Sequence, residues 1–153
     1  MVYVGQADQK VPPRDRWLLL QTLSFGRFLL PPVILETPMS YILIHNPGCG
    51  SSKKGLEILQ QARINPEIRL YMLVAHRLSV DELKDIAAKM GGVSPRAFMR
   101  EKDAADFGLP ADADDEAVFA AMAKNPKLIQ RPNGINGDKA VLGRPNSALL
   151  TIV

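Results

Sequence analysis

The chain is poor in cysteine, with one, Cys49, in 153 residues. A lone thiol cannot close an internal disulfide, and it excludes a zinc site built on several cysteines. So little cysteine suits a reducing compartment, and a cytoplasmic setting is expected. Charge of either sign is scarce in excess. The net is +3, and no basic run is interleaved with aromatics, so nucleic acid is not an expected partner. No uninterrupted apolar run reaches the roughly 20 residues a spanning helix needs. Nor is there a compact apolar segment with a small-residue cleavage site, as secretion requires. A membrane role is therefore not expected. Repeats and low-complexity segments are also absent. The remainder, 46% hydrophobic and 23% charged, describes an ordinary globular domain with a real core.

Residues 1–38 stand apart. Their apolar stretches Trp17–Leu20 and Phe28–Leu35 are broken by Gly26, Arg27, Pro31 and Pro32. Met39 immediately precedes the first convincing strand. Residues 1–38 therefore read as a disordered leader or a misassigned start, and residues 39–153 as the domain.

From there the pattern is β-α-β, then helices, then β-β-α. Tyr41–Ile44 is short, β-prone and bounded by His45-Asn46-Pro47, which marks a buried strand. Ser51 or Ser52 caps a helix running to Arg63, and Ile68–Val74 reads as the second strand. Ser79 and Glu82 have capping-box spacing, with Leu78 and Leu83 as a hydrophobic staple; Gly91-Gly92 ends that helix. A short helix is expected from Pro95, ending near Arg100. Another is capped by Asp112 or Asp114 and closed by Asn125-Pro126. Lys127–Gln130 and Lys139–Leu142 read as short strands, with Asn136-Gly137 as a hairpin turn. Pro145–Val153 reads as a terminal helix. Periodicity alone gives α/β or α+β.

Three groups of residues invite chemistry. Cys49 lies between Gly48 and Gly50, just ahead of a helix start, where free N–H groups and the helix dipole favour a thiolate and an anion. The plain alternative is a small buried hydrophobe; the two glycines and the helix start argue for access. His45 can supply charge or a hydrogen bond to the sulfur, or be a mere strand-end histidine. Ser52 can donate to the sulfur or only cap the helix. Arg131 and Arg144 each precede a proline, which holds them extended in loops. With Arg100 they are candidates for paired hydrogen bonds to a tetrahedral oxyanion, or solvated surface groups. Arg69 reads as a surface arginine.

His45-Asn46-Pro47-Gly48-Cys49-Gly50-Ser51-Ser52 closely resembles the signature of glutaredoxin-type arsenate reductases, the ArsC family. The resemblance extends over residues 41–153. It includes Ala97-Phe98-Met99-Arg100, the stretch from Asn125 through Arg131-Pro132, and Leu142-Gly143-Arg144-Pro145. It implies an α/β, thioredoxin-like fold: a four-stranded mixed sheet with flanking helices and a helical insertion. It implies Cys49 as nucleophile, His45 and Ser52 as tuning residues, and Arg100, Arg131 and Arg144 as oxyanion ligands. It also implies Pro132 as a cis-proline opposite the cysteine. Lys53 departs from the family's usual arginine, Asn133-Gly134 from an apolar pair, and Asn146-Ser147 lacks a common glutamate. The implied activity is reduction of arsenate by an external thiol, glutathione, with glutaredoxin as partner and no bound cofactor or metal. Need for an external thiol follows from the cysteine count; its identity follows from the resemblance. Rival readings on the same fold are an Spx-like regulator of RNA polymerase, a glutathione-linked thiol transferase, and a phosphate or sulfate binding module. The Spx group's Cys-x-x-Cys switch is missing here.

Overall fold

The computed structural model describes residues 40–153, so the leader expected over residues 1–38 lies outside the described residues. Four strands form one sheet in the order β2-β1-β3-β4. They are β1 (Ile42–Ile44), β2 (Glu67–Arg69), β3 (Asn133–Asn136) and β4 (Lys139–Leu142). β1 runs parallel to β2 and antiparallel to β3, which pairs antiparallel with β4. This is the mixed, thioredoxin-like sheet that the sequence led us to expect. The helices are α1 (Gly50–Gln61), α2 (Val80–Lys89), α3 (Glu101–Ala104) and α4 (Asp115–Lys124).

Alternation along β1 sends neighbouring side chains to opposite faces. Leu43 joins Tyr41, Leu59, Leu149 and Ile152 in a cluster with α1 and the C-terminal segment. Ile44 joins Leu83, Ile86, Phe98, Val118 and Met122 in a larger cluster with α2 and α4. The helical insertion between β2 and β3 therefore covers one face, while α1 covers the other.

The second helix begins as expected. The Ser79 Oγ accepts from the Glu82 N–H at 3.2 Å, and Glu82 Oε2 accepts from the Ser79 N–H at 2.8 Å. Glu82 Oε1 also meets Arg69 Nη1 at 2.6 Å, tying α2 to the end of β2. Arg69 further donates to the carbonyls of His76 and Arg77. It is thus a structural clamp rather than the free surface group expected. Its hydrogen bond holds the Glu82 carboxyl below its usual range, against a smaller upward push from burial.

Several boundaries differ from expectation. β2 stops at Arg69 because its only neighbour, β1, turns away there; the last rung is His45 N–H to Arg69 O at 2.9 Å. Residues 70–76 instead form turns and a 3₁₀ segment, Val74–His76. Arg100 interrupts the helix expected from Pro95, separating a 3₁₀ turn (Pro95–Phe98) from α3. Asp114, not Asp112, caps α4. The C-terminal segment, Asn146–Ile152, is 3₁₀ rather than α-helical. Lys127–Gln130 does not join the sheet: Pro126–Leu128 is a 3₁₀ turn, and Ile129 forms an isolated antiparallel bridge with Met99.

The third strand is Asn133–Asn136, so Asn133-Gly134 lies within the sheet, and the hairpin turn uses Gly137-Asp138. Gly134 is needed because a Cβ there would collide with the Tyr41 hydroxyl. That hydroxyl crosses the sheet to donate to Leu149 O at 2.8 Å.

Candidate active site

The carboxyl ends of the parallel pair β1 and β2 open on one edge of the sheet, a location that favours ligand sites in open sheets. There β1 runs through His45–Gly48 into α1. Cys49 occupies the N-cap position in extended conformation (φ −111°, ψ 121°), and no side chain caps the helix. Its first turn contains no acidic residue and is followed by Lys53 and Lys54. That arrangement leaves the positive end of the dipole unopposed and available to an anion.

The sulfur is partly exposed rather than entombed. Burial on its own would raise the thiol pKa. The Ser52 N–H, the Arg131 guanidinium and the Ser51 N–H outweigh that and hold it below its ordinary value. A Cβ at Gly50 would meet nothing within 4 Å, so the residue after Cys49 borders open space.

Ser52 is fully buried and does not cap α1. Its Oγ accepts from the Asn46 N–H at 3.0 Å and lies 3.0 Å from His45 Nδ1. The backbone N–H of Ser52, not its hydroxyl, is what favours the thiolate. Burial holds the His45 imidazole below its ordinary pKa. The Ser52 contact opposes this shift and the Lys53 charge adds to it. His45 and Ser52 lock the loop against the helix start.

The Met99–Ile129 bridge, framed by Arg100 N–H to Leu128 O at 2.7 Å and Gln130 N–H to Phe98 O at 2.8 Å, brings Arg100 beside the segment that leads into Arg131. Arg144 reaches the same loop, donating through Nη2 to Arg131 O at 3.3 Å. The Arg131–Pro132 and Arg144–Pro145 peptide bonds are both cis, the first as the resemblance implied. A cleft of about 570 Å³ lies over Cys49, lined also by Arg96, Arg100, Lys102, Gln130 and Arg144. An adjoining cavity of about 340 Å³ shares Arg100 and is lined by Arg131, Asn46 and Lys127. Arg131 thus reaches the sulfur, and Arg100 and Arg144 line the cleft over it, from three distant segments. Arg100 is steered by Asp103, whose Oδ2 is 2.7 Å from its Nε, leaving the terminal nitrogens for other partners.

Sequence reasoning missed three residues. Asp103 could have been found from its i,i+3 spacing to Arg100. Asn146 was noticed only as a departure. It donates through Nδ2 to Ser51 O at 3.0 Å, and its Oδ1 lies 3.2 Å from Ser51 Oγ, pinning the C-terminal segment to the start of α1. Tyr71, behind the arginines, carried no signal because it was expected inside a strand.

Among the described residues no group of histidine, cysteine and carboxylate side chains could hold a metal, and no helix is long and apolar enough to cross a membrane.

Comparison with known proteins identifies the family and the fold. A profile described as the ArsC family matches residues 44–152. An arsenate reductase of Haemophilus influenzae is 41% identical over 118 residues, covering 75% of this chain and all of that protein. The uncharacterized protein YfgD of Escherichia coli is 34% identical, covering 72% of this chain and 94% of its own length. The solved structure of an arsenate reductase from Vibrio cholerae superposes with a TM-score of 0.66 at 36% identity, covering 75% of this chain and 98% of that one. With that profile spanning residues 44–152 and a relative 41% identical along its whole length, the chain belongs to the ArsC family.

Proposed function

We propose that the protein is an arsenate reductase that uses Cys49 as its nucleophile and draws its second thiol from solution. The observation that carries this reading is a partly exposed thiol at the N-terminus of α1, with Arg131 acting on it and Arg100 and Arg144 lining the cleft above it. Arsenate is a tetrahedral anion at neutral pH. Guanidinium forks and helix N–H groups supply the compensating charge and donors it needs.

The Cys49 thiolate attacks arsenic and displaces water, giving a thiol–arsenate adduct. A second thiolate then attacks; its sulfur and that of Cys49 each give up one electron as they join in a mixed disulfide, and As(V) leaves as arsenite. Because the chain has no second cysteine, that thiol comes from outside, and glutathione is the proposed source. The cleft is far larger than one oxyanion requires, and Lys102 on its wall suits a thiol that carries carboxylates, while Arg96 there is already paired with Glu101. Glutaredoxin then clears the mixed disulfide by thiol exchange. A reducing cytoplasm is the compartment that supplies these partners.

The test is a coupled assay of arsenate reduction with glutathione and glutaredoxin. Wild-type protein turns over, Cys49→Ser does not, and Arg100→Ala loses most activity. Turnover persisting in Cys49→Ser removes the mechanism. A Cys49 that glutathionylates readily while arsenate stays unreduced favours the thiol-transferase reading instead.

A further inference from the structure

Tyr71 lies two residues beyond the end of β2, on the sheet edge where Cys49 follows β1. It is fully buried in the larger core cluster, yet its hydroxyl has no hydrogen-bond partner among the described residues. Buried hydroxyls are almost always partnered, and an orphan in a native fold calls for an explanation. A phenylalanine would fill the same space without it. The next residue in the chain, Met72, lines the cavity that Arg100 and Arg131 share. The charged groups facing the phenol are Arg131, Arg100 and Cys49. The Arg131 guanidinium lies close to both the phenol and the thiol, without completing a hydrogen bond to the phenol.

We propose that Tyr71 is a positioning residue for Arg131: its phenol oxygen accepts a guanidinium N–H when the site carries a negative charge, and so aims the fork at Cys49. The unpartnered oxygen has a spare acceptor role, and Arg131 is the donor within reach. Among the described residues Arg131 is otherwise loosely held, its one side-chain hydrogen bond there being a 3.5 Å contact from Nη1 to Lys127 O. A guanidinium with five donors and one long tether is free to pivot. A second anchor at the phenol restricts that freedom. The neutral phenol suits this duty, since burial pushes its pKa up despite the neighbouring Arg131.

The proposal rests on Cys49 as a thiolate site but not on arsenate as the substrate, so its test uses cysteine alkylation. Rates of iodoacetamide reaction with the full chain are measured against pH for wild type and Tyr71→Phe, alongside thermal midpoints. The expected result is an unchanged or higher midpoint together with an upward shift of the Cys49 inflection by about 0.5–1 pH unit, a threefold to tenfold loss of thiolate at fixed pH below it. The same comparison in an Arg131→Met background is expected to show no further shift, because the effect runs through Arg131. An alkylation profile unchanged in Tyr71→Phe overturns the proposal, as does an equal shift in the Arg131→Met background. A lowered midpoint with an unchanged profile assigns the hydroxyl to folding alone and likewise overturns it. Loss of arsenate turnover in wild type would sink the proposed reaction while leaving this test intact.

Discussion

Replacing Gly55 with alanine tests how the scaffold holds the site. In an isolated helix the change is favourable by about 1 kcal/mol, because alanine is the better helix former. Gly55 is one turn into α1 and buried, and a Cβ there would sit 2.7 Å from Pro132 Cγ and 2.9 Å from Leu149 Cδ1, against 3.4–4 Å for ordinary contact. Neither neighbour yields easily. Pro132 is a ring in the loop that carries Arg131, and Leu149 is fully buried. Overpacking of this kind costs about 1–3 kcal/mol, and two close contacts place it toward the upper end. The net is a destabilisation of about 1–2 kcal/mol, or a midpoint lower by about 4–8 °C in a domain of this size. Since the displaced proline adjoins Arg131, the Cys49 alkylation rate at neutral pH should fall as well. Calorimetry and alkylation on one preparation check both. A midpoint equal to or above that of wild type would show that helix propensity outweighs the contact with the proline, and the reasoning would fail.

Arg131→Lys should reduce turnover by tenfold or more, whereas the exposed Arg77→Lys should leave it nearly unchanged, because only the former is proposed to use a planar fork; steady-state rates decide. Asp103→Asn weakens the pair at Arg100 Nε and is expected to raise KM for the oxyanion more than it lowers kcat. Tyr41→Phe leaves the Leu149 carbonyl without its partner and should destabilise by about 1–3 kcal/mol, read by urea denaturation. Cys49 contributes a pH-dependent stability of definite sign. Its folded pKa is below the unfolded one, so the stabilisation is full above the unfolded value and is lost as pH falls through the folded value. Thermal midpoints of wild type relative to Cys49→Ser should therefore rise with pH across that window, and a flat or falling difference would contradict the assignment.

Local chemistry made the start of the site legible. The run from β1 into a turn with glycines around Cys49 needs only strand propensity, turn residues and a helix pattern, all within 20 residues. The capping box at Ser79 and Glu82 and the hairpin turn after Asn136 are equally local, and their bonds and register are present in the fold. For the proposed reaction, cysteine count alone implies an outside thiol. Tertiary structure decided the rest, because the deciding partners are far apart in the chain. Lys127–Gln130 has a strand's composition, but the place beside β1 goes to Asn133–Asn136, where Gly134 leaves room for the Tyr41 ring. The displaced segment then pairs with Met99 and so brings Arg100 toward Arg131. No spacing rule could show that arginines from three segments line the space around one sulfur, that Arg69 is a clamp, or that the buried Tyr71 hydroxyl has no partner among the described residues. Those facts arise from how the sheet edge, the insertion and the C-terminal segment pack, and packing is a property of the whole chain.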